Sequence, residues 1–138
     1  MARTYVDAGN PALARQTLER LRPQDQNGFR VRLVKAQIHA LEGQRVLALK
    51  EMDEQVLKYA DLQPLATLDA AEVYALLGEK EKAIEWLDRS MRKGDDRAEW
   101  IRRDPLLASV RNHPRLKQIL DSMEFRRRQR AAASPALQ

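Results

Sequence analysis

His39 and His113 are the only imidazoles in this 138-residue chain, and it has no cysteine. A zinc site needs several nitrogen or thiolate ligands converging on one point. Two histidines in separate helical units do not supply them, and disulfides are excluded outright. Asp95-Asp96 lacks the alternating oxygen ligands of a calcium loop and reads as a turn followed by a helix cap. No glycine-rich phosphate cradle, nucleophile elbow or burial-poised carboxylate pair is present. His39 falls on a helix face where packing is the default role, and His113, before Pro114, falls at a turn or cap. The residues therefore predict no enzyme, and no catalytic, cofactor or metal site.

The other chemistry-bearing cluster is basic. Arg126, Arg127, Arg128 and Arg130 against Glu124 place +3 of the formal +5 charge in the last fifteen residues. Such a run could touch nucleic acid or an anionic membrane. No aromatic side chains are interleaved with it for base stacking, so the sequence favours a solvated tail over residues 124–138 that frays. Nucleic acid is disfavoured as a partner.

The remaining elements must then form a scaffold. Charged residues make up 33% of the chain and aromatics 5%, with five glycines and six prolines. Ala, Leu, Glu, Lys and Arg dominate, a mixture that favours helix throughout. There is no apolar run of membrane-spanning length and no apolar stretch behind Met1-Ala-Arg-Thr-Tyr5 to make a signal peptide. The expectation is an all-α, soluble, cytoplasmic domain.

Its organisation is periodic. Gly9, Gly43 and Gly78 lie 34 and 35 residues apart; alanines follow each by five positions (Ala14, Ala48, Ala83), and large apolar residues by nine (Leu18, Met52, Leu87). Three landmarks at one period mark a repeat architecture. In each unit, glycine ends one helix in a left-handed conformation, and the next helix begins within two or three residues as an antiparallel neighbour. Alanine early in that second helix permits close approach.

This spacing resembles the tetratricopeptide repeat, a helix–turn–helix unit of 34 residues. Residues 64–97 carry the resemblance best, with Ala71, Tyr74, Gly78, Ala83, Leu87 and Ser90 in the expected slots. Residues 29–62 keep Ala36, Gly43, Ala48 and Met52 but place His39 and Gln55 where an aromatic and a small residue belong. Only a turn and a second helix remain in a partial unit over residues 2–28. The resemblance implies a right-handed α-α superhelix of antiparallel hairpins, binding a protein or peptide on its concave wall.

Local signals set the boundaries. Asn10-Pro11 opens a helix to about Leu21, and Pro23 stops it. Leu49, Met52, Val56 and Tyr59 form one helical stripe. Glu85 with Arg89 and Asp88 with Arg92 are i, i+4 pairs. Asp96 with Glu99 suggests a capping box. From Trp100 to Met123 short helices are expected, because Asp104-Pro105 and His113-Pro114 each set proline at a helix start. That stretch resembles the terminal segment of tetratricopeptide arrays in bacterial multidomain signalling proteins, joined to kinase, cyclase or winged-helix domains. It is expected to cap the array over residues 98–123, burying Trp100, Leu107, Val110, Leu116 and Ile119. The helical domain as a whole is expected to span residues 1–123.

Spacing places Arg30, Leu33, Gln37 and Leu41 on the concave wall from one unit, and Leu65, Leu68, Asp69, Glu72, Ala75 and Leu76 from the next. Between Leu65 and Leu77 only Thr67, Asp69 and Glu72 are polar. That much apolar surface must be covered by the cap, a second copy or a bound segment. The partial first unit leaves the apolar face of residues 11–21 short of a hairpin partner, which suggests a fragment of a longer array or pairing with another copy. Two functions follow: a scaffold for a protein segment or another domain, or a homodimeric assembly element.

Overall fold

Gly9, Gly43 and Gly78 adopt φ of +70°, +73° and +76°, a left-handed backbone that only glycine enters without steric cost. At each, the glycine amide bonds back three residues and the next amide bonds back five: Gly78 to Ala75 O at 3.1 Å, Glu79 to Tyr74 O at 2.9 Å. These paired bonds close one helix and release the chain into the next. The computed structural model describes residues 1–133, and helices with short connections account for them. No strand occurs among the described residues.

Three glycine turns make three hairpins. The first joins α1 (Ala2–Asp7) to α2 (Pro11–Glu19). Asn10 caps α2 by accepting from the Leu13 amide at 3.1 Å, and α2 ends at Glu19 rather than near Leu21. After a 3-10 turn at Pro23–Asp25 comes the second hairpin, α3 (Phe29–Leu41) with α4 (Arg45–Glu51) and α5 (Glu54–Leu62). The third pairs α6 (Pro64–Leu76) with α7 (Lys80–Arg92). Ala71, Ala83 and Ser90 are fully buried in it, as close helix approach requires. On its wet side the expected pairs form, Arg89 to Glu85 at 2.8 Å and Arg92 to Asp88 at 2.7 Å.

One helix expected to be continuous is broken. The stripe through Leu49, Met52, Val56 and Tyr59 predicted a single face, but Asp53 takes an extended backbone and starts α5, accepting from the Val56 amide at 3.0 Å. Its other oxygen meets Arg32 at 2.8 Å. A cap and an ion pair at one aspartate outweigh continuity of the stripe, and Leu49 is left exposed.

A fourth, irregular pair follows. α8 (Ala98–Arg103) and a 3-10 segment (Pro105–Val110) stand where a first helix would, and α9 (Pro114–Ala133) returns along α7. Asp104 accepts from the Leu106 amide at 2.9 Å and redirects the chain at the break. Asp96 and Glu99 do not form the expected capping box: Asp95 takes the Arg97 amide instead, at 3.1 Å, while Asp96 pairs with Arg130. His113 acts as a turn residue, accepting from the Arg115 amide at 3.1 Å. α9 is long, not short. It continues through residues 124–133, so that part of the expected frayed tail is helix; Arg126 donates to the Met91 carbonyl and Arg130 reaches Asp96. The rest of the expected tail lies outside the described residues.

The cap buries Leu107, Val110, Leu116 and Ile119, but Trp100 is 53% exposed. Leu106, which was not among the expected cap residues, is buried instead. The apolar surface of α6 is covered from within, by α3, α5, α7 and the 3-10 segment. Leu106 joins a second, smaller core with Ala2, Val6, Leu18 and Ile38. The first and last units therefore meet across the inner side of the array, and α1 supplies the partner that α2 was expected to lack.

Candidate protein-binding site

Closure of the inner side buries much of the wall read from spacing. Leu33, Gln37 and Glu72 are fully buried and Leu68 is 2% exposed, so none presents a surface to a partner. Leu41 and Leu76 pack against the smaller core. Arg30 and Leu65 remain exposed and Asp69 half-buried, at the rim of a cleft of about 280 Å³.

Beneath that rim lies a polar network. Arg3 on α1 donates from Nη2 to both Glu72 oxygens, at 2.7 and 2.5 Å, from Nε to Asp7 at 2.9 Å, and from Nη1 to Asp69. Gln37 on α3 adds a bond from Nε2 to Glu72 at 2.9 Å. Burial works against the charge on Arg3, but Glu72, Asp69 and Asp7 outweigh it and hold the guanidinium more firmly protonated. Burial pushes Glu72 well above the usual carboxylate range; Arg3 opposes this, and Asp104 adds to it. Asp69 is also raised, by burial against the pull of Arg3. Asp104 Oδ2 and Gln37 Oε1 are buried without a hydrogen-bond partner. The network ties α1, α3, α6 and the α8 break together, and its buried position makes it a structural lock.

Above the lock the surface is open. Arg3, Arg30, Val34, Leu65, Asp69, Arg97 and Trp100 line the first cleft. A second cleft of about 420 Å³ continues from it, sharing Asp7 and Trp100 and bounded by Glu99, Arg103 and Pro105. Trp100 stands between the two. Exposed Leu65, at 56%, and exposed Trp100 give the apolar ground, and arginines give the rim. Burying such aromatic and aliphatic anchors, with arginine beside them, is what a protein interface does. No group of three or more His, Asp and Glu among the described residues could hold a metal ion. No helix among them is long and apolar enough to cross a membrane. His39 is half-buried and pairs Nδ1 with Gln44 at 3.0 Å, while His113 meets Glu81 at 2.9 Å.

A tetratricopeptide repeat family profile matches residues 1–20 and 64–89, the α1–α2 hairpin and most of the α6–α7 hairpin. Those two hairpins are similar to tetratricopeptide repeats. The residues between the two matched stretches include the unit whose second helix breaks at Asp53. No curated protein and no solved structure matches the chain. Tetratricopeptide repeats are generally protein–protein interaction modules, typically without enzymatic activity.

Of the wall residues expected from spacing, the tetratricopeptide fold brings Arg30, Leu65, Leu68 and Asp69 to the first cleft. Spacing missed Arg3, Arg97, Trp100 and Arg103. The pairing of Arg3 with Glu72 spans 69 residues, which no local pattern reveals.

Proposed function

We propose that this chain is a non-enzymatic scaffold that holds a segment of another protein in the two-part cleft around Trp100. The observation that carries the proposal is that exposed Trp100 and exposed Leu65 line one cleft together with Arg30, Asp69 and Arg97. The inner groove is filled by the chain's own first and last units, so the segment lies across the rim. Arg30, Leu65 and Asp69 then contact the partner, while Leu33, Gln37, Glu72, Leu41 and Leu76 support the wall from behind.

A peptide-display selection tests this. Sequences enriched on the wild-type protein are expected to lose binding at least tenfold on the Trp100→Ala and Leu65→Glu variants, and to keep it on Val46→Glu, which alters an exposed residue of α4. Binders indifferent to Trp100 and Leu65 would rule the cleft out.

A second reading, homodimeric assembly, draws on the exposed Val46, Leu47 and Leu49 of α4. It predicts a sedimentation coefficient that rises with concentration in the wild type and not in Val46→Glu.

A further inference from the structure

We infer that the segment held at Trp100 is acidic, an extended stretch of another protein with carboxylates on both sides of one large apolar residue. The inference rests on the cleft proposed above as the binding site and concerns which chemistry fits it.

The reason is how the charges there are already spent. Every acid of the two clefts is engaged within the chain. Asp7 and Asp69 are held by Arg3. Glu99 meets Arg102 and Arg103. Asp104 caps the Leu106 amide and is buried. The cations are not all answered. Arg30 is exposed and makes no hydrogen bond or close ion pair among the described residues, acting on Asp69 only at longer range. The Arg103 side chain is 83% exposed, and its one carboxylate contact, to Glu99, is long at 3.8 Å. Arg97 gives Nε and Nη2 to Asp95, at 2.9 and 2.8 Å, and keeps Nη1.

These groups flank the aromatic. Arg30 and Arg97 line the cleft on one side of Trp100, and Arg103 lines the cleft on the other. Guanidinium forks recognise carboxylates through paired, charge-assisted bonds. An aromatic face set between them suits an apolar side chain, with Leu65 beside it. A basic segment would meet no free carboxylate and three cations with donors to spare, so charge selects against it.

The experiment uses the full chain with Trp86→Phe, which leaves Trp100 as the only tryptophan. A random peptide-display library is selected on it, and peptides synthesised from the winners are titrated while Trp100 emission is followed. The expected winners carry Asp or Glu on both sides of a Leu, Phe or Trp. Replacing their acids with Gln weakens binding at least tenfold, added salt weakens it steeply, and Arg30→Glu/Arg103→Glu reverses the charge preference. Winners that bind at Trp100 but are neutral or basic overturn the acidic assignment and leave the cleft intact. Winners that ignore Trp100→Ala overturn the cleft itself. Two internal occupants are also tested. Trp100 emission that changes on truncation after Ala133 places the chain's own end there, and emission that changes with protein concentration places a second copy there. Either result overturns the inference.

Discussion

Arg3 donates from one terminal nitrogen to both carboxylate oxygens of Glu72, at 2.7 and 2.5 Å, across 69 residues of sequence. A six-residue helix has little stability of its own, so α1 stays in place through Val6, which is fully buried, and through this contact. Arg3→Ala leaves two raised carboxylates without their cation. Breaking a fully buried pair costs about 3–5 kcal/mol. With the Arg3 side chain 29% exposed and Glu72 able to take up a proton, a loss of about 2 kcal/mol is expected. Urea denaturation measures it. Hydrogen exchange should show the amides of α1 and the α8 break losing protection while α7 keeps it.

Glu72 gives the domain an unusual pH response. Its folded pKa lies well above the ordinary value of 4.5, chiefly through burial. Between the unfolded and folded values the folded state binds more protons. Stability therefore falls as pH rises through that interval, and its contribution is complete only below the ordinary value. Glu72→Gln should flatten the fall. The amide can still accept from Arg3 and can donate to the unpartnered Asp104 oxygen. Thermal melts from pH 5 upward are expected to show a declining midpoint in the wild type and a nearly level one in the variant. An equal decline in both would remove Glu72 as the cause.

Gly78 offers a test of the repeat turn itself. A Cβ placed there would meet nothing within 4 Å, so a substitution brings no clash. The only cost is the left-handed backbone at φ +76°. Gly78→Ala should lower stability by about 1–2 kcal/mol, and Gly78→Asn by less, because asparagine tolerates that conformation better. A larger loss for asparagine than for alanine would point to packing rather than backbone.

How much was legible in the sequence follows from how local each signal is. The glycine period carries its own physics: one residue type, one backbone region, one pair of turn hydrogen bonds. It therefore foretold the three turns and the buried slots Ala14, Ala48 and Ala83, though not that α1 completes the first hairpin. The break at Asp53 was hidden because one of its two causes, Arg32, lies on another helix. Glu72 looked like an accessible wall residue because an isolated glutamate reads as polar surface; only the distant Arg3 makes its burial tolerable. Trp100 was expected in the buried face of the cap, but the cap's buried side chains are Leu106, Leu107 and Val110 beyond Asp104. Trp100 instead lines both open clefts, which spacing alone could not anticipate.

Ser90 separates packing from hydrogen bonding in the small-residue slot of α7. It is fully buried, and its hydroxyl donates to Asp95 Oδ2 at 2.8 Å. Burial works against the charge on Asp95, yet the Arg97 side chain, the Ser90 hydroxyl and the Arg97 amide hold its pKa below the ordinary 3.8. A depressed carboxylate contributes stability that is present above the ordinary value and lost as pH falls through the folded one. Ser90→Ala keeps the helix contact and removes one donor, so about 1.5–3 kcal/mol should go at neutral pH. Part of that loss should vanish as pH falls through the lowered folded value of Asp95 and the carboxylate protonates. Ser90→Val adds bulk between α6 and α7 and should cost a further ~1–3 kcal/mol at every pH. Denaturant melts at pH 7 and pH 3 on the two variants distinguish the roles: a deficit that shrinks in acid belongs to the hydroxyl, and one that does not belongs to the packing.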